Sequence, residues 1–195
     1  NIYSARKFFG VPDGGYVIGP DAELGINDYQ QDESSDTSAF LLKRIEKGSS
    51  PVYAERMRNE ERIDNSDISR MSLLTLKLLK SIDYKLVKKR RSINFQYAHN
   101  LFKSYNRLDP EKFSDSNCFP MAYPLVVEGK DLADKLKSNN IYTGRLWSKV
   151  LTEIEFDSFE TYLSRYLIPL PIDQRYEKKH IDYCFKVFMK VFNEK

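Results

Sequence analysis

Asn1-Ile-Tyr-Ser-Ala-Arg-Lys-Phe-Phe-Gly-Val-Pro-Asp-Gly-Gly15 is the stretch from which the rest of the chain is best read. Lys7 follows Ser4 by three residues and precedes the Gly14-Gly15 pair by seven. That layout suits an amine that attacks a carbonyl beside a phosphate. A nucleophilic lysine needs a depressed pKa or a cationic neighbour, and Arg6 is adjacent in sequence. A hydroxyl at Ser4 can donate to a phosphate oxygen, and paired glycines let the backbone approach a ligand closely. The run that follows, Gly14-Gly-Tyr-Val-Ile-Gly19, is apolar between glycines and is predicted to be a buried strand. A lysine near a glycine pair is, in most proteins, simply a surface loop.

Working outward, Ser38 to Lys47 carries Ala39, Leu41, Leu42 and Ile45 at helical spacing and stops near Gly48. Val52 to Arg62 is highly charged and predicts a second helix. Leu74, Leu78, Ile82 and Leu86 recur every four residues, and Ile93, Tyr97 and Leu101 continue the stripe. This predicts one helix from about Ser69 to Phe102, roughly 50 Å long, bridging two layers or two domains. Phe119 to Val127 reads as a strand, with Pro120 and Pro124 marking an edge or a bend. Asp131 to Ser138 predicts a helix ended by Asn139-Asn140, and Ile141-Tyr142-Thr143 a further strand. Tyr162 to Leu170 is an apolar segment stopped by Pro169 and Pro171. Ile181, Cys184, Phe185, Phe188 and Phe192 place a core-facing stripe on a closing helix. The alternation of strands and helices is that of an α/β (α+β) protein with a small α+β domain at its end.

The 195 residues are enough for a substantial core. A hydrophobic fraction of 41% and a charged fraction of 30% are ordinary for a globular protein. Lys plus Arg is 31 and Asp plus Glu 28, a net charge of +3, so no clustered excess of the kind that grips nucleic acid is present. The densest basic run, Lys88-Lys-Arg-Arg91, reads as a solvated helix face. Cys118 and Cys184 lie far apart and read as buried thiols of a reducing, cytoplasmic compartment rather than a disulfide scaffold. No stretch approaches the roughly 18 apolar residues of a membrane span. His99 and His180 have no metal-site spacing, so no metal is expected. Arg145 with Trp147 could border a substrate pocket, arginine suiting a carboxylate or phosphate. Asp173 and Arg175 are expected to tie down the final turn.

The first loop resembles the cofactor-lysine loop of the DegT/DnrJ/EryC1/StrS aminotransferases, fold-type-I enzymes dependent on pyridoxal phosphate. Lys7 falls at the Schiff-base lysine, and Val11-Pro-Asp-Gly-Gly15 matches one branch of the family. Arg70-Met71-Ser72 and the helix to Phe102 resemble the connection between its large and small domains. Tyr123-Pro-Leu-Val-Val127, the helix from Asp131, Ile141 to Trp147 and Leu170-Pro-Ile-Asp-Gln-Arg-Tyr176 resemble its small domain in order. The resemblance implies that the chain is the C-terminal portion of such an enzyme. Residues 1–70 would be a remnant of the large domain, 71–105 the connecting helix and 106–195 the small α+β domain.

On that likeness Lys7 is the catalytic, cofactor-bearing residue, with Ser4 and Arg6 at the cofactor and Arg145 and Trp147 toward substrate. Pyridoxal 5'-phosphate is the implied cofactor and a homodimer the implied assembly. The reaction would move an amino group from an amino acid to the keto group of a nucleotide-linked sugar. Two departures stand out. Ile68-Ser69-Arg70-Met71 replaces the family's Asn-Tyr-Arg-Met, and the half of the enzyme that supplies the aspartate under the pyridine nitrogen is not represented. The alternative expectation is therefore a catalytically incompetent, truncated domain with a structural or interaction role.

Overall fold

The computed structural model describes residues 1–20, 25–113, 120–129, 131–154 and 158–193. It divides into two compact units, Asn1–Asp83 and Tyr84–Lys195. Helices and two-stranded ribbons combine in each, which places the chain in the α+β class. Cys118 and Phe119 lie outside the described residues.

The first unit opens with β1 (Ile2–Ser4), a single 3-10 turn (Ala5–Lys7) and β2 (Gly15–Val17), antiparallel to β1 with Tyr3 opposite Tyr16. Three helices follow: α1 (Ala39–Lys47), α2 (Tyr53–Asp64) and α3 (Leu73–Lys80). Gly48, at φ 78°, ends α1 in a left-handed conformation that other residues rarely adopt. Ser72 caps α3 by accepting the Thr75 N–H at 3.1 Å. The apolar core of this unit is small: Ala5, Val11 and Leu79, with Phe9, Met71 and Ile82 packed against them.

The second unit begins at α4 (Tyr84–Phe102). β3 (Tyr123–Val126) and β4 (Leu167–Leu170) form its antiparallel ribbon, with Leu125 opposite Ile168 and Pro124 opposite Pro169. Asn106 lies along the outer edge of β3. Its amide donates to the Pro124 carbonyl at 2.9 Å and accepts the Val126 N–H at 2.8 Å. Between the strands lie α5 (Leu132–Ser138), the short α6 (Val150–Glu153) and α7 (Phe159–Tyr166). α8 (Lys178–Asn193) closes the chain and packs on α4 and α5. Ile181, Cys184, Val187, Phe188 and Val191 form its buried stripe, so the closing aromatic pattern is core as expected. Phe102 meets Phe185 and Phe188 edge-on at 5.1 and 5.3 Å between ring centres, a favoured geometry for aromatic quadrupoles.

Four expectations are corrected. The helix predicted over residues 69–102 is two helices, because Ser81–Asp83 interrupts it. Leu74, Leu78, Leu86 and Ile93, which defined its stripe, are exposed. The β2 strand is not buried, all three of its residues being exposed. Residues Ile141 to Thr143 form no strand, although Ile141 is buried. Arg91 is not solvated: at 1% exposure it donates from Nε to Gln174 Oε1 at 2.8 Å and from Nη1 to the Pro120 and Met121 carbonyls at 2.9 and 3.1 Å.

Asp173 and Arg175 do tie down a turn, through two side-chain hydrogen bonds of 2.8 and 2.7 Å. Burial pushes the Asp173 carboxyl up, but the hydrogen-bonded, charged Arg175 guanidinium and Arg91 outweigh it and hold its pKa below the ordinary value. His180 is exposed, and its Nδ1 accepts the Glu177 N–H at 3.0 Å at the start of α8.

Candidate functional site

The Lys7 loop is pinned at several points along its length. The Phe8 and Phe9 N–H groups donate to the Ala5 carbonyl at 3.1 and 3.0 Å, and Ala5 N–H donates to the Gly14 carbonyl at 3.3 Å. From α2, Asn59 donates to the Pro12 carbonyl at 2.8 Å. The Asp13 carboxylate, buried at 3% exposure, accepts the Ser72 N–H at 2.9 Å and the Ser72 hydroxyl at 2.7 Å. A loop of ten residues between two short strands is therefore fixed to the start of α3 and the middle of α2.

Each predicted residue has a definite place in this frame. Lys7 ends the 3-10 turn with its side chain exposed, and among the described residues nothing hydrogen-bonds to or pairs with its ammonium. Ser4 is half-buried and does not cap the turn with its side chain. Arg6 forms an ion pair with Glu60, which Arg56 also approaches at 3.8 Å. Arg6, which the sequence reading offered to a phosphate, is thus paired with Glu60.

The two glycines allow close packing against the chain's own atoms. A Cβ on Gly14, at φ 94°, would lie 3.0 Å from Thr75 Cγ2 and 3.1 Å from Met71 Cβ. On Gly15 it would lie 3.1 Å from the Tyr3 carbonyl oxygen across the ribbon.

Beside the loop lies an open cleft of about 780 Å³. Arg6, Gly15, Tyr29, Ser69 and Arg70 are among its lining residues, whereas Ser4 and Lys7 are not. Of the three residues that the sequence had grouped, Arg6 lines this cleft. Arg70 is the cleft residue that the sequence reading gave no role. Its backbone is held by the Gln30 carbonyl and the Asp32 N–H at 2.9 and 2.8 Å. Its Nε is buried and finds no acceptor among the described residues, while the cleft's Asp32 is bound by Arg62 at 3.0 and 3.1 Å. Its place in Arg70-Met71-Ser72, next to the cap of a helix, was the signal available in the sequence.

In the second unit Arg145 lines a cleft of about 250 Å³ with Lys137, Arg165, Asp131, Asp134 and Thr143. Trp147 does not line it. At φ 53° the residue is 62% exposed, and its carbonyl accepts the Ser164 hydroxyl at 2.8 Å. Arg145 and Trp147, paired by the sequence, do not line this cleft together.

No protein-family model, no curated protein and no solved structure matches this chain. Chemically, the arrangement offers an exposed primary amine on a pinned turn and a separate cleft bearing a guanidinium. Among the described residues no helix is long and apolar enough to cross a membrane.

Proposed function

We propose that this chain is the C-terminal portion of a pyridoxal-phosphate-dependent aminotransferase of the DegT/DnrJ/EryC1/StrS kind, with Lys7 as the amine that carries the cofactor. The acceptor would be the keto group of a nucleotide-linked sugar, the donor an amino acid, and the working assembly a homodimer. One observation carries the reading: Lys7 presents an exposed amine, unengaged among the described residues, on a turn whose flanks are tied to two helices. A covalent carrier needs such an amine, reachable by an aldehyde yet held in place.

The residues fit one end of the cofactor. The amine is accessible, but the ring and phosphate find no cradle among the described residues. Arg6 is held by Glu60, and Met71 and Thr75 occupy the space over Gly14. The remaining contacts would come from other parts of a complete enzyme, and no reaction step is assigned to these residues.

A second reading, a non-catalytic domain with an interaction role, is favoured by a different observation. Ile2, Val17 and Ile18 expose apolar side chains at 84%, 59% and 58% along the β1–β2 ribbon. Ile2 and Val17 are directly paired across the ribbon, and an apolar pair so exposed suits a face that another polypeptide covers.

The two readings part on trapping. The chain, joined to the remainder of the complete enzyme, is incubated with pyridoxal phosphate, reduced with borohydride and mapped by peptide mass. On the aminotransferase reading Lys7 is labelled at least about tenfold over exposed lysines such as Lys80 and Lys89, equivalent to about 1.4 kcal/mol of preference. Labelling spread evenly over surface lysines, and unchanged by Lys7→Arg, would refute it and leave the interaction domain.

A further inference from the structure

We propose that His99, Asp109 and Glu111 form a binding site for a divalent transition metal of the zinc class, clipping the end of α4 to the segment that follows it. The three donors come from different places in the chain's local order: His99 from the last turn of α4, Asp109 from the connecting segment, Glu111 from a 3-10 turn over Pro110–Phe113. One ligand atom from each lies within 4.8 Å of the others. His99 Nε2 and Glu111 Oε2 are 3.4 Å apart. Two ligands at zinc distance in a tetrahedral shell stand about 3.3 Å from one another, so this edge matches the ion.

Two of the donors are also aimed, while Asp109 lies 3.7 Å from the Lys112 ammonium. Gln96 donates to Glu111 Oε1 at 2.8 Å, which leaves the other oxygen turned to the histidine. On the far side of the imidazole, Nδ1 lies 3.3 Å from the Tyr123 hydroxyl, and Asn106 donates to that hydroxyl at 3.2 Å. A metal-binding histidine is commonly fixed through its second nitrogen in this way. In the tautomer that carries its proton on Nδ1, the Nε2 lone pair faces the Glu111 carboxylate oxygen, and a cation between them turns that repulsion into ligation. His99 is only 7% exposed along its side chain, whereas Asp109 and Glu111 are near half exposed. A buried nitrogen with two outer carboxylates gives a site open to water on one side. One imidazole with two carboxylates suits zinc or manganese better than calcium or magnesium, which favour all-oxygen sets. Two histidines far apart gave no metal signature in the sequence, because two of the three ligands are carboxylates, which carry no motif at this spacing.

The test is calorimetric titration of the chelator-treated protein with zinc chloride, repeated with calcium chloride. The expected result is one saturable zinc site. Glu111→Gln and Asp109→Asn, both at exposed positions, each weaken it at least about tenfold, and His180→Ala leaves it unchanged. X-ray absorption at the zinc edge should show a single imidazole in the shell. Because His99 is buried and its loss could disturb folding, the carboxylate variants carry the decision. Zinc binding equal in the parent protein and Glu111→Gln, or no saturable binding, would overturn the proposal and leave a simple histidine–carboxylate ion pair.

Discussion

Asp13→Ala tests the frame that holds the Lys7 loop. The Asp13 carboxylate accepts two hydrogen bonds from one residue, Ser72, at 2.9 and 2.7 Å. Bonds to a charged acceptor contribute about 1.5–3 kcal/mol each. Part of that is recovered, since the freed Ser72 hydroxyl can turn to Ser34 Oγ, already 2.8 Å away. The Ser72 N–H has no such replacement and is left buried. The net cost is therefore about 3 kcal/mol. For a unit spanning Asn1–Asp83 that corresponds to a melting point lower by roughly 12–24 °C. Asp13→Asn keeps one acceptor oxygen and the volume, and should cost about 1 kcal/mol. Urea unfolding followed by circular dichroism gives the two values. Trypsin, which cuts after Arg6 and Lys7, reports the loop directly: 3 kcal/mol of opening raises the open population about 100-fold. A loss below about 1 kcal/mol in Asp13→Ala, or an amide variant as damaged as the alanine one, would refute the pinning role of Asp13.

In the second unit, Arg91→Met should destabilise by about 3 kcal/mol in urea, because it strips the donor from Gln174 and from the Pro120 and Met121 carbonyls. Arg91→Lys should fall between, since an ammonium cannot reproduce the in-plane guanidinium set, and a methionine variant as stable as the parent would refute the account. Burial pushes the Cys184 thiol up to about 11. At pH 8 about one thiol in a thousand is then ionised, and iodoacetamide should modify Cys184 at least about 100-fold more slowly in the native protein than in urea. The native rate should climb as pH rises toward 11, and equal native and unfolded rates at pH 8 would contradict the burial.

Local signals in the sequence were legible where one residue type decides the backbone. Gly48 ends α1, Ser72 was read only as part of a motif yet caps α3, and the α8 stripe of Ile181, Cys184 and Phe188 is the core face it suggested. The leucine stripe of Leu74, Leu78 and Leu86 misled because spacing alone does not say which face has a partner. The buried face of α4 instead carries Arg91, Asn94 and His99 among Val87, Phe95, Ala98 and Phe102. Its polar side chains donate to backbone carbonyls: the Asn94 amide donates to those of Ile172 and Tyr176 at 3.1 and 3.0 Å. The same limit applies to the candidate site. Arg6 looked free because Glu60 is 54 residues away in sequence, and Gly14 looked ready for a ligand because its real neighbour is α3.

The paired prolines of the second unit's ribbon bear on what the protein does in a crowd. Opposed residues in an antiparallel ladder alternate between exchanging hydrogen bonds and turning their backbone groups outward. Pro124 and Pro169 face each other at an outward-turning position, flanked by the bonded pairs Tyr123–Leu170 and Leu125–Ile168. The missing N–H groups are therefore missing on the ribbon's two outer margins, not in its seam. On one margin Asn106 also occupies the groups that remain at Pro124 and Val126. An incoming strand meets a gap on either side, so the ribbon holds together from within and offers a poor template for strand-by-strand growth between molecules.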